Sequence, residues 1–301
     1  MLSFLPPTMR GIVASCLLIA NTLLLGPILI TISLLRFIIP LQGWQRSCTA
    51  AGIWIAELWI SFNSLWMKLI QQIHWDVEGI EQLDKNQWYL VSSNHQSWAD
   101  ILILQHLLNR KIPMLKFFLK RQLIWVPLIG LCWWALDFPF MKRYSKEYLE
   151  KYPHKRGKDF ESTQRACEKF KYIPVTVFNF LEGTRFTPAK HQEQNSPYQW
   201  LLKPKAGGLA FVVGAMGDNL NALLDVTIAY PSHKQPSFWD FMCGKVNRLR
   251  VRVQVKPIPE QFLNRNYRED ENFRNEFQQW VTQLWQEKDA LLDQLHQQPG
   301  S

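Results

Sequence analysis

Gly11 to Leu35 is a run of 25 residues without a charge, closed at its ends by Arg10 and Arg36. As a helix rising about 1.5 Å per residue, it is long enough to cross a hydrocarbon layer of about 30 Å. It is too long for a cleaved signal peptide and lacks the small-residue exit of one. Pro27, preceded by Gly26, predicts a kink near its middle. A second apolar segment, Ser47 to Met67, is rich in Trp but carries Glu57 near its centre. A carboxylate at bilayer depth costs on the order of 2.5–3.5 kcal/mol by insertion scales. Two full spans would also put Arg36 and Arg46 in a short loop on the far side, against the positive-inside tendency. Arg10 and Lys68 balance them on the near side. A helix pair dipping into one leaflet, with Glu57 near the interface, satisfies both facts.

The 301-residue chain has room for one catalytic domain with an appendage, and no repeat is visible. Of its net charge of +9, eight units lie between Arg110 and Asp159, where twelve basic residues face four acids. A local basic field suits phosphate-bearing partners. No finger, RRM or helix-turn-helix pattern accompanies it, and the neighbouring Leu123 to Trp134 is uncharged and rich in Leu, Ile and Trp. A lipid surface is therefore expected, not nucleic acid. Cys16, Cys48, Cys132, Cys167 and Cys243 are scattered and form no CxxC pair. That speaks against a disulfide framework and a zinc site and fits a reducing location. The histidines show no ligand spacing, so no metal is expected.

Beyond Trp75 the pattern becomes α/β: a central, mostly parallel sheet flanked by helices. Trp88 to Ser93 reads as a strand and Ser97 to Leu108 as an amphipathic helix. Lys158 to Phe170 reads as a helix, Ile173 to Leu181 as a strand, and Lys205 to about Met216 as a helix of small residues. Leu224 to Ala229 and Leu249 to Val255 are further strands. Phe273, Phe277, Trp280, Val281, Leu284 and Trp285 form one stripe of a C-terminal helix, the spacing of core packing. The expected domains are an anchor over 1–74, a catalytic domain over 75–260, and a C-terminal helix over 261–301 that packs on it.

Two short segments carry the chemistry, each just past a strand, where such sheets bind ligands. The first is Asn94-His95-Gln96-Ser97-Trp98-Ala99-Asp100. Taken alone, Ser97-x-x-Asp100 reads equally well as a capping box. In the sharper reading Asp100 folds back on one imidazole nitrogen of His95 and leaves the other as a base. Imidazoles titrate near pH 6.5 as a class, which suits them to take a proton from an alcohol at neutral pH. The second is Glu182-Gly183-Thr184-Arg185, by itself an ordinary turn. Its functional reading has Arg185 present a planar fork to a phosphate. GxSxG, Walker and GxGxxG patterns are missing, so direct attack by a substrate hydroxyl is expected instead of a serine acyl-enzyme.

At these two segments the sequence resembles the glycerolipid acyltransferases of the lysophosphatidate acyltransferase type. That family's His-x4-Asp is matched by His95 and Asp100, and its Glu-Gly-Thr-Arg by Glu182 to Arg185. Trp88-Tyr89-Leu90, Phe138 to Arg143 and Ile228-Ala229-Tyr230-Pro231 look closest to bacterial probable acyltransferases related to the lysocardiolipin acyltransferases. The resemblance, from about Trp75 to Val255, implies that His95 is the base and Asp100 its orienting acid. It implies a glycerophosphate site of Glu182, Gly183, Thr184 and Arg185, joined by Lys120 and by Arg143, which closes the family's second block. In the fourth block only Pro231 matches, and Lys203 and Lys205 are further phosphate candidates.

The activity so implied is O-acyl transfer from acyl-CoA or acyl carrier protein, with no further cofactor, to a lysophospholipid, first of all 1-acyl-glycerol-3-phosphate. The expected place is the bacterial inner membrane with the domain facing the cytosol. Acylation of lysocardiolipin or lysophosphatidylglycerol is the alternative. A thioesterase or lipase, and a non-catalytic lipid-binding membrane protein, are the rivals.

Overall fold

The computed structural model describes residues 4–141, 151–152, 174–231 and 235–297, apart from 264, 266, 268 and 269. Two long helices come first, α1 (Pro7–Ile38) and α2 (Gln42–Ile70). They are followed by β1 (His74–Glu78), β2 (Tyr89–Ser93), α3 (Ala99–Leu108), β3 (Leu115–Phe117), β4 (Leu119–Lys120), α4 (Ile129–Ala135) and β5 (Phe140–Met141). After residue 173 come β6 (Thr176–Phe180), α5 (Pro188–Glu193), α6 (Ala206–Met216), β7 (Ala222–Ala229), α7 (Phe238–Met242), β8 (Arg248–Lys256) and α8 (Glu271–Gln297). The sequence-predicted helix at Lys158 to Phe170, and Arg143, lie outside the described residues.

Six strands form one mixed sheet in the order β1-β8-β7-β2-β6-β3. Every neighbouring pair is parallel except β7 with β8. β2 is central, and all five of its residues are buried, as a strand covered on both faces requires. Its side chains alternate between two cores. Tyr89 and Val91 join Leu104 and Leu107 of α3 and Trp66, Met67 and Ile70 of α2. Leu90 joins Leu209 and Val213 of α6 and Phe277, Val281 and Trp285 of α8 on the opposite face. The stripe on α8 is therefore core: Phe273, Phe277, Val281, Leu284 and Trp285 are buried, with Trp280 packed at its edge.

The N-terminal helices are part of this architecture. Ala14 of α1 and the last turn of α2 enter the same core as β2, so a boundary at residue 74 divides sequence, not separately packed bodies. α1 runs through Pro27 as one continuous helix. Its neighbours hold it there: a Cβ at Gly26 would stand 3.2 Å from Leu128 and 3.3 Å from Cys132 Sγ. The register of the pair is set by polar side chains, since apolar faces alone slide easily. Asn21 donates to Trp59 O and to Asn63 Oδ1, both at 2.9 Å, and the Trp59 indole donates to Thr22 Oγ1 at 3.0 Å.

Both helices are also tied to the sheet domain. Arg36 grips Asp137 through two nitrogens, at 2.8 and 3.3 Å. Glu57 lies 3.5 Å from Arg110, and Asn109 donates to Glu57 O and Ser61 Oγ. The mid-segment carboxylate thus has a cation beside it, supplied by the end of α3.

Candidate active site

Parallel register brings the exits of three strands together: Ser93 of β2 lies opposite Phe180 of β6 and Val226 of β7. The chain leaving β2 is then fixed at every backbone step. Asn94 closes a two-way clasp on Ile228, donating to its carbonyl and accepting from its N–H, each at 2.9 Å. His95 N–H donates to Glu182 Oε1 at 2.8 Å, and His95 O accepts from Phe186 N–H at 2.7 Å. The two sequence motifs, 87 residues apart, are one hydrogen-bonded unit.

His95 Nδ1 lies 2.9 Å from Asp100 Oδ2. The same oxygen accepts from Gln96 N–H at 2.7 Å and Ser97 N–H at 2.9 Å, and Tyr230 Oη donates to Oδ1 at 2.5 Å. Asp100 is fully buried, so these donors replace its hydration. With Nδ1–H turned to the carboxylate, Nε2 is left as the acceptor of the ring. The imidazole stacks on Phe180, with centroids 3.8 Å apart. Half of the capping box forms as well: Asp100 accepts from Ser97 N–H, but Ser97 Oγ accepts from Ala99 N–H at 3.2 Å, and Asp100 N–H goes to the Ser97 carbonyl instead. Both roles fit because a carboxylate offers several acceptor sites.

Glu182 is placed differently from the expectation that it touches the lipid. Its carboxyl is buried and turned inward, accepting from His95 N–H and, at 3.1 Å, from Leu202 N–H. An acid inside the turn braces the backbone of His95, whereas one in the cleft would repel an anion. Burial pushes its pKa up to about 8, with the charge of Asp100 adding to the rise and the two N–H donors opposing it. A carboxyl raised from 4.5 in the unfolded chain to about 8 when folded holds a proton that unfolding releases. Its contribution to stability is complete below pH 4.5 and is lost as pH climbs through 8. Thermal unfolding between pH 5 and 8 should therefore show a falling midpoint, worth on the order of a few kcal/mol. Glu182→Gln cannot titrate and should flatten that slope while lowering the midpoint throughout. Parallel slopes for the two proteins would remove Glu182 as the cause.

Gly183 follows with φ +69°, a left-handed conformation, and the Lys205 side chain lies over it. Lys190 of α5 folds back to donate to Thr184 Oγ1 at 2.7 Å and to Arg185 O at 3.1 Å, a clamp that the sequence reading missed. The Arg185 guanidinium sits 5.0 Å from the Trp98 ring centre and, like Lys120, is exposed. His95, Lys120, Gly183, Thr184 and Arg185 all line one cavity of about 650 Å³. Its apolar wall comes from Leu25 and Leu29 of α1, Ile55 and Trp59 of α2, Leu102 of α3, and Leu123 and Trp133. Among the described residues no group of three or more His, Cys, Asp or Glu could hold a metal ion. The arrangement offers an oriented base, cations at the same opening, and room for a long apolar group.

Comparison with known proteins points the same way. A family model described as Acyltransferase matches residues 74–230, more than half of the chain and all of the segment holding both motifs. The 1-acyl-sn-glycerol-3-phosphate acyltransferase gamma of Homo sapiens is 26% identical over 257 residues, covering 79% of this chain and 63% of that protein. The delta protein of Homo sapiens is 25% identical over 191 residues, 60% of this chain and 45% of that one. The chain thus spans less than two thirds of the length of these curated relatives. The crystal structure of the 1-acyl-sn-glycerophosphate acyltransferase from Thermotoga maritima superposes with a TM-score of 0.54 at 15% identity, covering 97% of this chain and 100% of that one, a likeness of fold. With the matched segment running from β1 to Tyr230, the last partner of Asp100, this chain belongs to the Acyltransferase family.

Proposed function

We propose that this chain is a membrane-bound O-acyltransferase that moves a fatty acyl group from a thioester, acyl-CoA or acyl carrier protein, to the free hydroxyl of a lysophospholipid. 1-Acyl-glycerol-3-phosphate, giving phosphatidate, is the first acceptor to expect. The observation that carries this reading is the buried His95–Asp100 pair opening on an apolar cavity whose lining includes Arg185 and Lys120. Lipid binding alone needs no oriented base. In the mechanism, Arg185 and Lys120 hold the acceptor's phosphate and set its hydroxyl at His95 Nε2. The hydroxyl oxygen attacks the thioester carbonyl as Nε2 takes its proton, and Asp100 steadies the imidazolium. Collapse of the tetrahedral intermediate breaks the carbon–sulfur bond, and the imidazolium returns the proton to the departing thiolate. The apolar cavity holds an acyl chain meanwhile.

Product analysis by mass spectrometry, with a panel of lysolipids and acyl thioesters, tests the reading. Acylated lipid is expected from phosphate-bearing acceptors and not from monoacylglycerol. Release of free fatty acid alone would mean a thioesterase. Acylation of lysocardiolipin or lysophosphatidylglycerol in preference to lysophosphatidate would keep the reaction and change the acceptor.

The membrane seat follows from the helix pair. α1 meets the domain at both ends: Gly11 lies against Trp239 and Cys243, and Arg36 pairs with Asp137. At about 1.5 Å per residue those ends are nearly 40 Å apart, so α1 lies along the domain instead of leading away from it. Its opposite face exposes Ile12, Ile19, Leu23, Leu24 and Phe37, continued by Trp125 and Trp134. We infer insertion into one leaflet, with the domain on the cytosolic side. A cysteine at Gln42 should then be labelled only from that side of sealed vesicles. Labelling from the far side would establish a span.

A further inference from the structure

We propose that Tyr230 is a positioning residue of the catalytic pair, its phenol hydroxyl setting how strongly Asp100 charges the His95 imidazole. The proposal rests on the acyl-transfer reading above and adds a residue to it. Tyr230 follows the last residue of β7 and is completely buried. Its hydroxyl donates to Asp100 Oδ1 at 2.5 Å. The other oxygen, Oδ2, already serves His95 Nδ1 and the N–H groups of Gln96 and Ser97. Burial and the neighbouring Asp100 charge hold the phenol well above its ordinary range, so it stays a donor wherever the enzyme works.

A core position needing only bulk takes Phe, because a buried hydroxyl without a partner is costly. Here the hydroxyl makes a short, charge-assisted bond to the one carboxylate that matters. Such a bond gives the carboxylate a donor where water cannot reach it. It also draws negative charge toward Oδ1, away from the oxygen facing the imidazole. Without it, more of that charge faces Nδ1–H and the imidazolium becomes easier to form.

The other charged groups around the pair make no hydrogen bond to the Tyr230 hydroxyl, which donates to Asp100. These are the Glu182 carboxyl under His95 N–H, Lys288 of α8 acting on Glu182, Arg185 over Trp98, and Lys120 across the cavity. A change in His95 titration therefore reports the hydroxyl itself.

The test is Tyr230→Phe in the full chain, in lipid nanodiscs with ring-labelled histidine. The His95 resonance is assigned by its loss in His95→Gln. The titration midpoint of His95 is expected to rise by about 0.5–1 unit. The acid limb of kcat/KM should move to higher pH by the same amount, with both KM values unchanged. In an Asp100→Asn background the Tyr230→Phe shift should vanish, as a hydroxyl acting through the carboxylate requires. A lower melting temperature with an unmoved His95 midpoint would reduce Tyr230 to packing and overturn the proposal. Because the resonance needs no turnover, a shifted midpoint in a protein that transfers no acyl group supports the coupling and sinks acyl transfer instead.

Discussion

Replacing His95 with alanine is expected to lower acyl transfer by at least roughly 10²–10⁴-fold, the usual contribution of a positioned general base, while the chain stays folded. The two halves of that expectation have separate causes. What anchors residue 95 is its backbone, N–H to Glu182 and carbonyl to Phe186, and alanine keeps both. What the side chain adds is a proton acceptor already turned by Asp100 and braced against Phe180. Asp100 keeps three donors in the variant, from Gln96, Ser97 and Tyr230, so no bare charge is left to unfold the site. Single-turnover transfer from acyl-CoA to lysophosphatidate, with the melting temperature measured alongside, separates chemistry from stability. Near-normal transfer by His95→Ala would end the proposed mechanism.

Trp285→Ala should produce the largest loss of stability, about 3–5 kcal/mol for an aromatic core deletion, or roughly 10 °C in melting temperature. The ring is fully buried, and its Nε1–H donates to Leu202 O at 2.9 Å. Leu202 N–H in turn donates to Glu182, whose other oxygen holds His95 N–H. The C-terminal helix therefore reaches His95 through three hydrogen bonds. Activity per folded molecule should fall with Trp285→Ala more than with Leu292→Ala, a buried position of the same helix outside that chain of bonds. Equal activity losses, once scaled to the stability lost, would show that α8 supports the fold and nothing more.

The elements that could be read from sequence are those whose pattern is local. β2, β6 and β7 appear as apolar or β-branched runs because both faces of a central strand are covered. β1 and β3 were not legible, since five residues with two acids and three residues with a lysine become strands only by joining the sheet's edges. Leu123 to Trp134 shows the same limit. Its apolar character suggested a lipid-facing surface, and the structure divides the segment in two. Leu123, Ile129, Cys132 and Trp133 face the cavity while Trp125, Leu131 and Trp134 are exposed.

The chemistry on offer was legible in the chain: a histidine five positions from an acid, a Gly turn ending in Arg185, and an apolar run too long for an ordinary loop. Those are properties of residue type and spacing, and they survive any fold. Which way each side chain points was decided by the tertiary structure alone. Glu182 and Arg185, three residues apart, part company because only one lies under the backbone leaving β2. Tyr230 meets Asp100 across 130 residues because the register of β7 against β2 brings it there. A hydrogen bond across that separation leaves no periodic trace in the chain, so no local pattern can announce it.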